Sequence, residues 1–452
     1  MINFGKSVNS VVFPEYSESE VIKSLVRASQ EYKDSEKAKR RTALDFYLYQ
    51  NTERHVQQWF ESDSLQQVPV YPQAVVQRFA RARMMLYKNP CKKYIGNEIN
   101  DDYNRMTYML DSKVKMFSEI AWLLGDCFLK TSYNENKQRL EYTILPDVRE
   151  YCVIGESSPF GMSYEVESPF KNKRMFVYWS EDRDGVQGAH FKFDQDGKRY
   201  AVGDNTEMIN PYGIIPICKV DNYKNSYDVV RSALQISIAM TEIALNVRFR
   251  LGQPVFTGVE EGQSEIKSGI DNALFLGENS DFKYVSPNGS MVEMIEAVKL
   301  FANITAENNH LRIRWGESGG NAPSGEALRI LELENHESRE ADTLIYREFE
   351  NDRYAIDRAI LETHKVMTLP EDYYVDFGEV EYPMSVDQEL KLLDWKMANG
   401  IMTQKDVLKY FNPDMSESEL DEKLNEVQEE QQQTTQQQQA SQPVFGGLRS
   451  LG

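Results

Sequence analysis

The chain has 452 residues, with 51 Lys and Arg against 71 Asp and Glu, a formal charge of −20. At roughly 150 residues per domain, that length suggests about three domains with ample material for a core. Proteins that grip nucleic acid by neutralising phosphates are usually basic, so the charge excludes a protein whose main task is tight DNA binding.

Other features narrow the class. With 25 Tyr, 21 Phe and 5 Trp, the chain is too aromatic to be disordered throughout. Cys91, Cys127, Cys152 and Cys218 make no CxxC, and none stands beside a histidine at metal-ligand spacing. Four free thiols suit a reducing cytoplasm. The opening MINFGKSVNS lacks the apolar core of a secretory signal. The least charged long stretch, 232–247, is too short and too polar to span a bilayer.

In chain order, residues 18–60 read as a highly charged helix carrying the basic cluster Lys37-Ala38-Lys39-Arg40-Arg41. Glu31, Asp34 and Glu36 flank that cluster, so it reads first as a solvated helix face and only secondarily as a contact surface. Residues 71–87 predict a second helix with Val75, Val76, Phe79, Met84 and Leu86 on its core side, stopped by Asn89-Pro90. Residues 102–125 predict a third.

The period then changes. Segments 127–132, 140–145, 151–155, 174–179, 189–193 and 199–202 are short aromatic or β-branched runs. Turn signals at Asn134-Glu135-Asn136, Asp184-Gly185 and Asp196-Gly197 separate them, so 126–220 reads as mostly antiparallel β. Asn210-Pro211-Tyr212-Gly213-Ile214-Ile215-Pro216 is a rigid turn into a last short strand. Residues 226–251 predict a long helix with apolar residues on more than one face, hence with more than one neighbour. A glycine-punctuated module follows, with short strands expected at 273–276 and 282–285. Residues 290–315 predict a returning helix, so that the three parts form an antiparallel stalk with a cap.

Gly316–Gly325 (GESGGNAPSG) predicts a flexible loop, and 324–366 one strong helical segment. Ile345, Phe349, Ile356 and Ile360 mark its core stripe. Extrapolated backwards, the stripe meets Asp342, Ser338 and Asn335. That first half is either a solvated or curved helix or in polar contact with a neighbouring subunit. Residues 371–383 look extended. Segments 386–399, 404–411 and 417–430 read as short helices, and the Gln-rich 431–452 as a disordered tail.

No P-loop, GxGxxG or HExxH is present. Gly316-Glu317-Ser318-Gly319-Gly320 fits G-x-S-x-G, which would make Ser318 a nucleophile with His336 or His364 as base and Asp342 as orienter. A nucleophile elbow needs a strand before the serine. A long helix is expected there instead, which favours a glycine hinge.

The order of these parts resembles the portal protein of tailed bacteriophages. NPYGIIP at 210–216 looks like the turn before that family's first stem helix, and Ser324-Gly325-Glu326-Ala327-Leu328 like the opening of its long helix. Asn399–Leu408 (NGIMTQKDVL) resembles a C-terminal family element, with Thr403 where serine is usual. The resemblance implies an α+β portal fold: wing 1–225, stem helices 226–251 and 290–315, clip 252–289, tunnel loop 316–325, long wing helix 326–366 and helical crown 367–430. It further implies a homo-oligomeric ring, usually of twelve subunits, at one capsid vertex of the virion, assembled in the host cytoplasm. Double-stranded viral DNA would pass through it. The large terminase, the major capsid or scaffolding protein and neck or adaptor proteins would dock on it, with no cofactor, metal, membrane or catalysis. Glu317, Ser318, Asn321 and Ser324 would face DNA in the tunnel loop. Lys299, Arg312 and Arg314 would be channel-facing cations, unless paired within the stem. The alternatives are a serine hydrolase using Ser318, or another virion ring or connector protein.

Overall fold

A computed structural model describes residues 36–60, 69–152, 158–249, 253–257, 281–285, 291–312, 333–378, 386–412, 415–416 and 418–426. The fold is mixed α and β, and the paired strands are antiparallel.

Of the expected 18–60 helix, the described part is broken. Helix α1 (Glu36–Leu48) ends where Tyr49 and Asn51 take positive φ of 55° and 53°, and α2 (Thr52–Gln57) starts afresh. The basic cluster on α1 is only in part a solvated face: Lys39 and Arg41 are exposed, but Arg40 is not. Arg40 is buried, with its guanidinium 2.6 Å from Asp126 Oδ1 and 3.0 Å from Asp147 Oδ1, and its Nε donates to Pro146 O at 3.0 Å. Lys37 pairs with Glu165, and Lys39 with Glu36 at 2.6 Å.

Helix α3 spans only Val75–Arg83, shorter than the expected 71–87. At its start, Tyr71 N donates to Thr241 Oγ1 at 3.1 Å and Gln73 N to Ser237 Oγ at 3.0 Å, so these amides are engaged outside the helix. At its end, Met84, Met85, Leu86 and Tyr87 leave the helix and all four side chains are buried. Strands β1 (Lys92–Ile95) and β2 (Glu98–Ile99) follow. The expected 102–125 helix is two, α4 (Asp101–Met106), capped by Asn100, whose Oδ1 accepts from Tyr103 N at 2.9 Å, and α5 (Leu110–Leu124). Gly125 ends α5 at a φ of +92°, and a Cβ there would meet Asn225 N at 3.1 Å, so the turn requires glycine.

Strands β3 (Asp126–Asn134), β4 (Arg139–Leu145), β5 (Val148–Cys152), β6 (Pro159–Val166), β7 (Met175–Ser180), β8 (His190–Asp194), β9 (Arg199–Tyr200) and β10 (Ile217–Asp221) fall in the region read as β. They form a five-stranded meander, β5-β6-β7-β8-β9, and a separate β10-β3-β4 sheet. Strand β7 is buried throughout because the period of two serves two cores. Phe176 and Tyr178 pack with Phe160, Phe191 and Phe193, while Val177 and Trp179 pack with Phe128, Met162 and Ile217. In the NPYGIIP turn, Asn210 is buried and its Nδ2 donates to Ser180 O and Ile214 O, each at 2.8 Å.

Helix α6 (Tyr227–Phe249), strands β11 (Gln253–Thr257) and β12 (Asp281–Val285), helix α7 (Met291–Asn308), helix α8 (Leu333–Thr363) and strand β13 (Tyr373–Asp376) complete this unit. The strand expected at 273–276 lies outside the described residues. Strand β13 pairs with β1, Lys92 opposite Asp376, closing a third sheet across most of the chain. A second unit holds α9 (Val386–Ala398), α10 (Gln404–Phe411) and a helix at 418–426. NGIMTQKDVL is its corner: Gly400 takes φ +70° after α9, and Thr403 and Asp406 form a reciprocal capping box on α10. Threonine serves that cap as serine would.

The core of the first unit is built around α8. Phe349, Ile356 and Ile360 are buried as expected. Arg353, Glu350 and Asp357 are also fully buried on the same helix. The Arg353 guanidinium donates to Glu350 Oε2 at 2.7 Å, to the Tyr103 and Tyr373 hydroxyls at 2.8 Å each, and to Asp357. The Tyr103 and Tyr142 hydroxyls donate to Asp357 Oδ2, each at 2.8 Å, and the Tyr87 hydroxyl to Glu350 Oε1 at 2.9 Å. Burial would raise Glu350, but Arg353 and Lys93 hold it below the usual carboxylate range. Burial dominates at Asp357 and pushes it up despite Arg353.

Replacing one member strands the others without water. Arg353→Met is expected to destabilise the protein by about 3–5 kcal/mol in urea unfolding, with Glu350→Gln/Arg353→Met/Asp357→Asn recovering part of the loss. A second outcome concerns pH. Hydrogen bonds from Arg174, at 2.7 Å to each oxygen, and the charge of Lys37 bring Glu165 from 4.5 to about 2, against partial burial. Its folded value is depressed, so its contribution is complete above pH 4.5 and fades as pH falls toward about 2. Unfolding curves across that window should slope less in Glu165→Gln than in the parent.

Candidate functional site

The first place to look for function is the α6/α7 pair with its β module. Ser232 and Thr305 hydroxyls lie 2.6 Å apart, Asn309 Nδ2 donates to Asp228 Oδ2 at 2.9 Å, and Asn246 Nδ2 lies 3.6 Å from Met294 Sδ. The start of α6 thus meets the end of α7, and the two run antiparallel. Between them β11 and β12 pair from Gln253–Val285 to Thr257–Asp281.

Much of the apolar surface of α6 is covered within the chain, although Val247 is 54% exposed. Val229, Ala233 and Ile236 join the main core, and α1, α2 and α3 pack on α6 as well as α7. Ser237 and Thr241, fully buried, accept the Gln73 and Tyr71 amides. The chain itself thus supplies α6 with more than one neighbour. Helix α7 differs: Ala302, Thr305 and Ala306 are buried, while Val292, Leu300, Phe301 and Ile304 are exposed, at 64%, 57%, 51% and 47%. Leu300 and Ile304 stand one turn apart with Phe301 adjacent, a patch of apolar surface on a helix that otherwise shows Glu293, Glu296 and Lys299 to solvent.

The sequence-derived site residues fall in three places. Lys299 stands exposed on α7, and among the described residues it makes no ion pair. Arg312 follows α7, which ends at Asn308 because His310 takes φ +57°, short of the expected residue 315. Arg314, Glu317, Ser318, Asn321 and Ser324 lie outside the described residues. The structure does not bring Lys299 and Arg312 together: Arg312 borders a cleft with Arg81, Lys88 and Lys115 instead.

The proposed hydrolase partners of Ser318 also stand apart. Asp342 is bound by Arg83, Nη1 at 2.6 Å and Nη2 at 3.3 Å. His364 packs on Tyr133 with ring centroids 4.9 Å apart, and its Nε2 lies 3.3 Å from the Tyr212 hydroxyl. At 1.5 Å per residue, Asp342 and His364 are separated by about 33 Å along α8. His336 is on the same helix at a six-residue offset from Asp342, and so on a different face. The Arg83 contact also answers the polar first half of α8. It is neither simply solvated nor reserved for a neighbour, because Asn335 donates to Ala82 O at 3.0 Å and both Asn335 and Asp342 are buried within the chain.

Sequence reasoning missed Arg81, Lys88 and Lys115. A signal existed: residues 64–97 contain Arg78, Arg81, Arg83, Lys88, Lys92 and Lys93 and no acid, in a chain of net charge −20. Among the described residues no helix is long and apolar enough to cross a membrane, and no three His, Cys, Asp or Glu side chains group as metal ligands would. No family model and no curated protein matches the chain.

The Arg83–Asp342 pair is mostly buried, with side chains 11% and 12% exposed. Asp342→Ala should therefore cost about 2–4 kcal/mol in thermal or urea unfolding by stranding the guanidinium, and Arg83→Ala should add little to it.

Proposed function

We propose that the chain is the repeating subunit of a portal ring that conducts double-stranded viral DNA at one capsid vertex. The observation that carries this reading is the antiparallel α6/α7 pair, joined through a small β module and followed by the long helix α8. That is the order of stem, clip, stem and wing helix. In this reading Leu300, Phe301 and Ile304 on α7 pack against the next subunit, closing a ring through two unlike faces. Twelve copies would follow family practice. The clip, with β11 and β12, would dock the large terminase and later the neck or adaptor proteins, and the wing the major capsid or scaffolding protein.

The charge supports a conduit over a grip. Glu334, Glu337, Glu340 and Glu348 on α8 are exposed, and a ring of such subunits would keep a negative duplex from adhering. Function here is positional and electrostatic, with no bond made or broken by the protein. The ring would sit in the virion after assembly in the host cytoplasm.

Negative-stain images and mass photometry of the purified chain should show rings with a narrow stalk and a wide collar. A stable monomer at high concentration would sink the reading. Phe301→Asp with Ile304→Asp should shift rings to subunits of unchanged circular dichroism and thermal midpoint, since both side chains are already exposed in the single chain.

A further inference from the structure

The cleft beside Arg312 has a chemistry that ring closure does not use. It has a volume of about 270 Å³ and is formed by the end of α3, the following loop, α5, the turn after α7 and the start of α8. Its floor is apolar: Met84, Met85 and Leu311 are buried. Its rim is cationic. Arg81, Lys88, Lys115 and Arg312 are exposed, and among the described residues none forms an ion pair. His310, also on the rim, has Nδ1 3.6 Å from Glu334.

Asn335, 4% exposed, closes one side of the cleft and is held there by its Nδ2, which donates to Ala82 O at 3.0 Å and lies 2.9 Å from Met85 Sδ.

We infer that this cleft is a docking site for an acidic, apolar-flanked peptide segment of a partner polypeptide. Two properties select that occupant. Four cations that form no ion pair among the described residues, in a chain of net charge −20, call for anionic groups. The methionine-lined floor accepts apolar side chains of varied shape, which a phosphate does not supply. A double helix is also too wide to enter the cleft, whose volume suits one or two side chains. The peptide's carboxylates would pair with the rim, and its apolar side chains would rest on Met84, Met85 and Leu311. All of these residues belong to one chain, so the inference stands apart from the ring reading.

The test is fluorescence anisotropy on the full chain, with a labelled peptide of Leu-Asp-Met-Glu repeats as the probe. Saturable binding is expected, at least tenfold tighter than for the same peptide with Asn and Gln in place of Asp and Glu. Arg81→Gln with Lys115→Gln and Arg312→Gln should weaken it at least tenfold while thermal unfolding stays unchanged, because all three side chains are exposed. Equal binding of the amide peptide, or an affinity indifferent to the triple variant, overturns the proposal. So does displacement of the peptide by inorganic phosphate or a short DNA duplex at equal charge concentration, which would mark a general anion surface.

Discussion

A guanidinium removed from water must have its N–H groups met by the protein, and around Arg353 that requirement draws the first unit together. The cluster draws on five parts of the chain: Glu350 and Asp357 on α8, Tyr103 on α4, Tyr373 on β13 and, through Asp357 and Glu350 in turn, Tyr142 on β4 and Tyr87 in the loop after α3. Two carboxylates oppose one guanidinium, and their surplus charge is met by tyrosine hydroxyls and by the nearby Lys93. The cluster has little tolerance for displacement, since hydrogen bonds weaken steeply with angle and burial shuts its members off from bulk solvent. Helix α8 is thereby held in one rotation and one register against the strands and helices that precede it.

That arrangement changes the meaning of the acidity. Of the acids between residues 326 and 362, Asp342, Glu350 and Asp357 are buried and bound by arginines, and six others in the described part are exposed. The negative surface of α8 is therefore thinner than the sequence count implies. The basic side has the same double character. Arg40, Arg83 and Lys93 are spent on internal pairs, whereas Arg81, Lys88, Lys115 and Arg312 remain outside and gather at one cleft. Charge in this chain is sorted by burial, and the sorting separates the groups that hold the fold from those left on the surface.

The helices α6 and α7 show how far the sequence could be read. The length of α6, the interruption after it and the return at residue 290 were legible, because apolar periodicity and glycine act within a few residues, whereas the end of α7 at Asn308 was not. Which helix needs an outside neighbour was not. The pattern of α6 called for more than one neighbour, and α1, α2, α3 and the amides of Tyr71 and Gln73 supply much of that cover, while α7 carries the larger exposed apolar patch. Hydrophobic periodicity reports that a face is covered without reporting by what. The candidate site was less legible still. Arg312 was visible as a cation, but its companions Arg81, Lys88 and Lys115 come from segments far away in sequence, between residues 81 and 115.

The sequence by itself determined the local elements: the β hairpins at Asp184-Gly185 and Asp196-Gly197, the turn at Asn210, the glycine ends at Gly125 and Gly400 and the cap at Thr403. Each rests on backbone preferences or side-chain hydrogen bonds spanning a few residues. Only the tertiary structure decided that β13 closes a sheet with β1, that Arg40 and Arg353 lie inside, and that the polar start of α8 belongs against α3. Those outcomes depend on which distant groups satisfy a buried charge or an open strand edge, and no short-range preference carries that information.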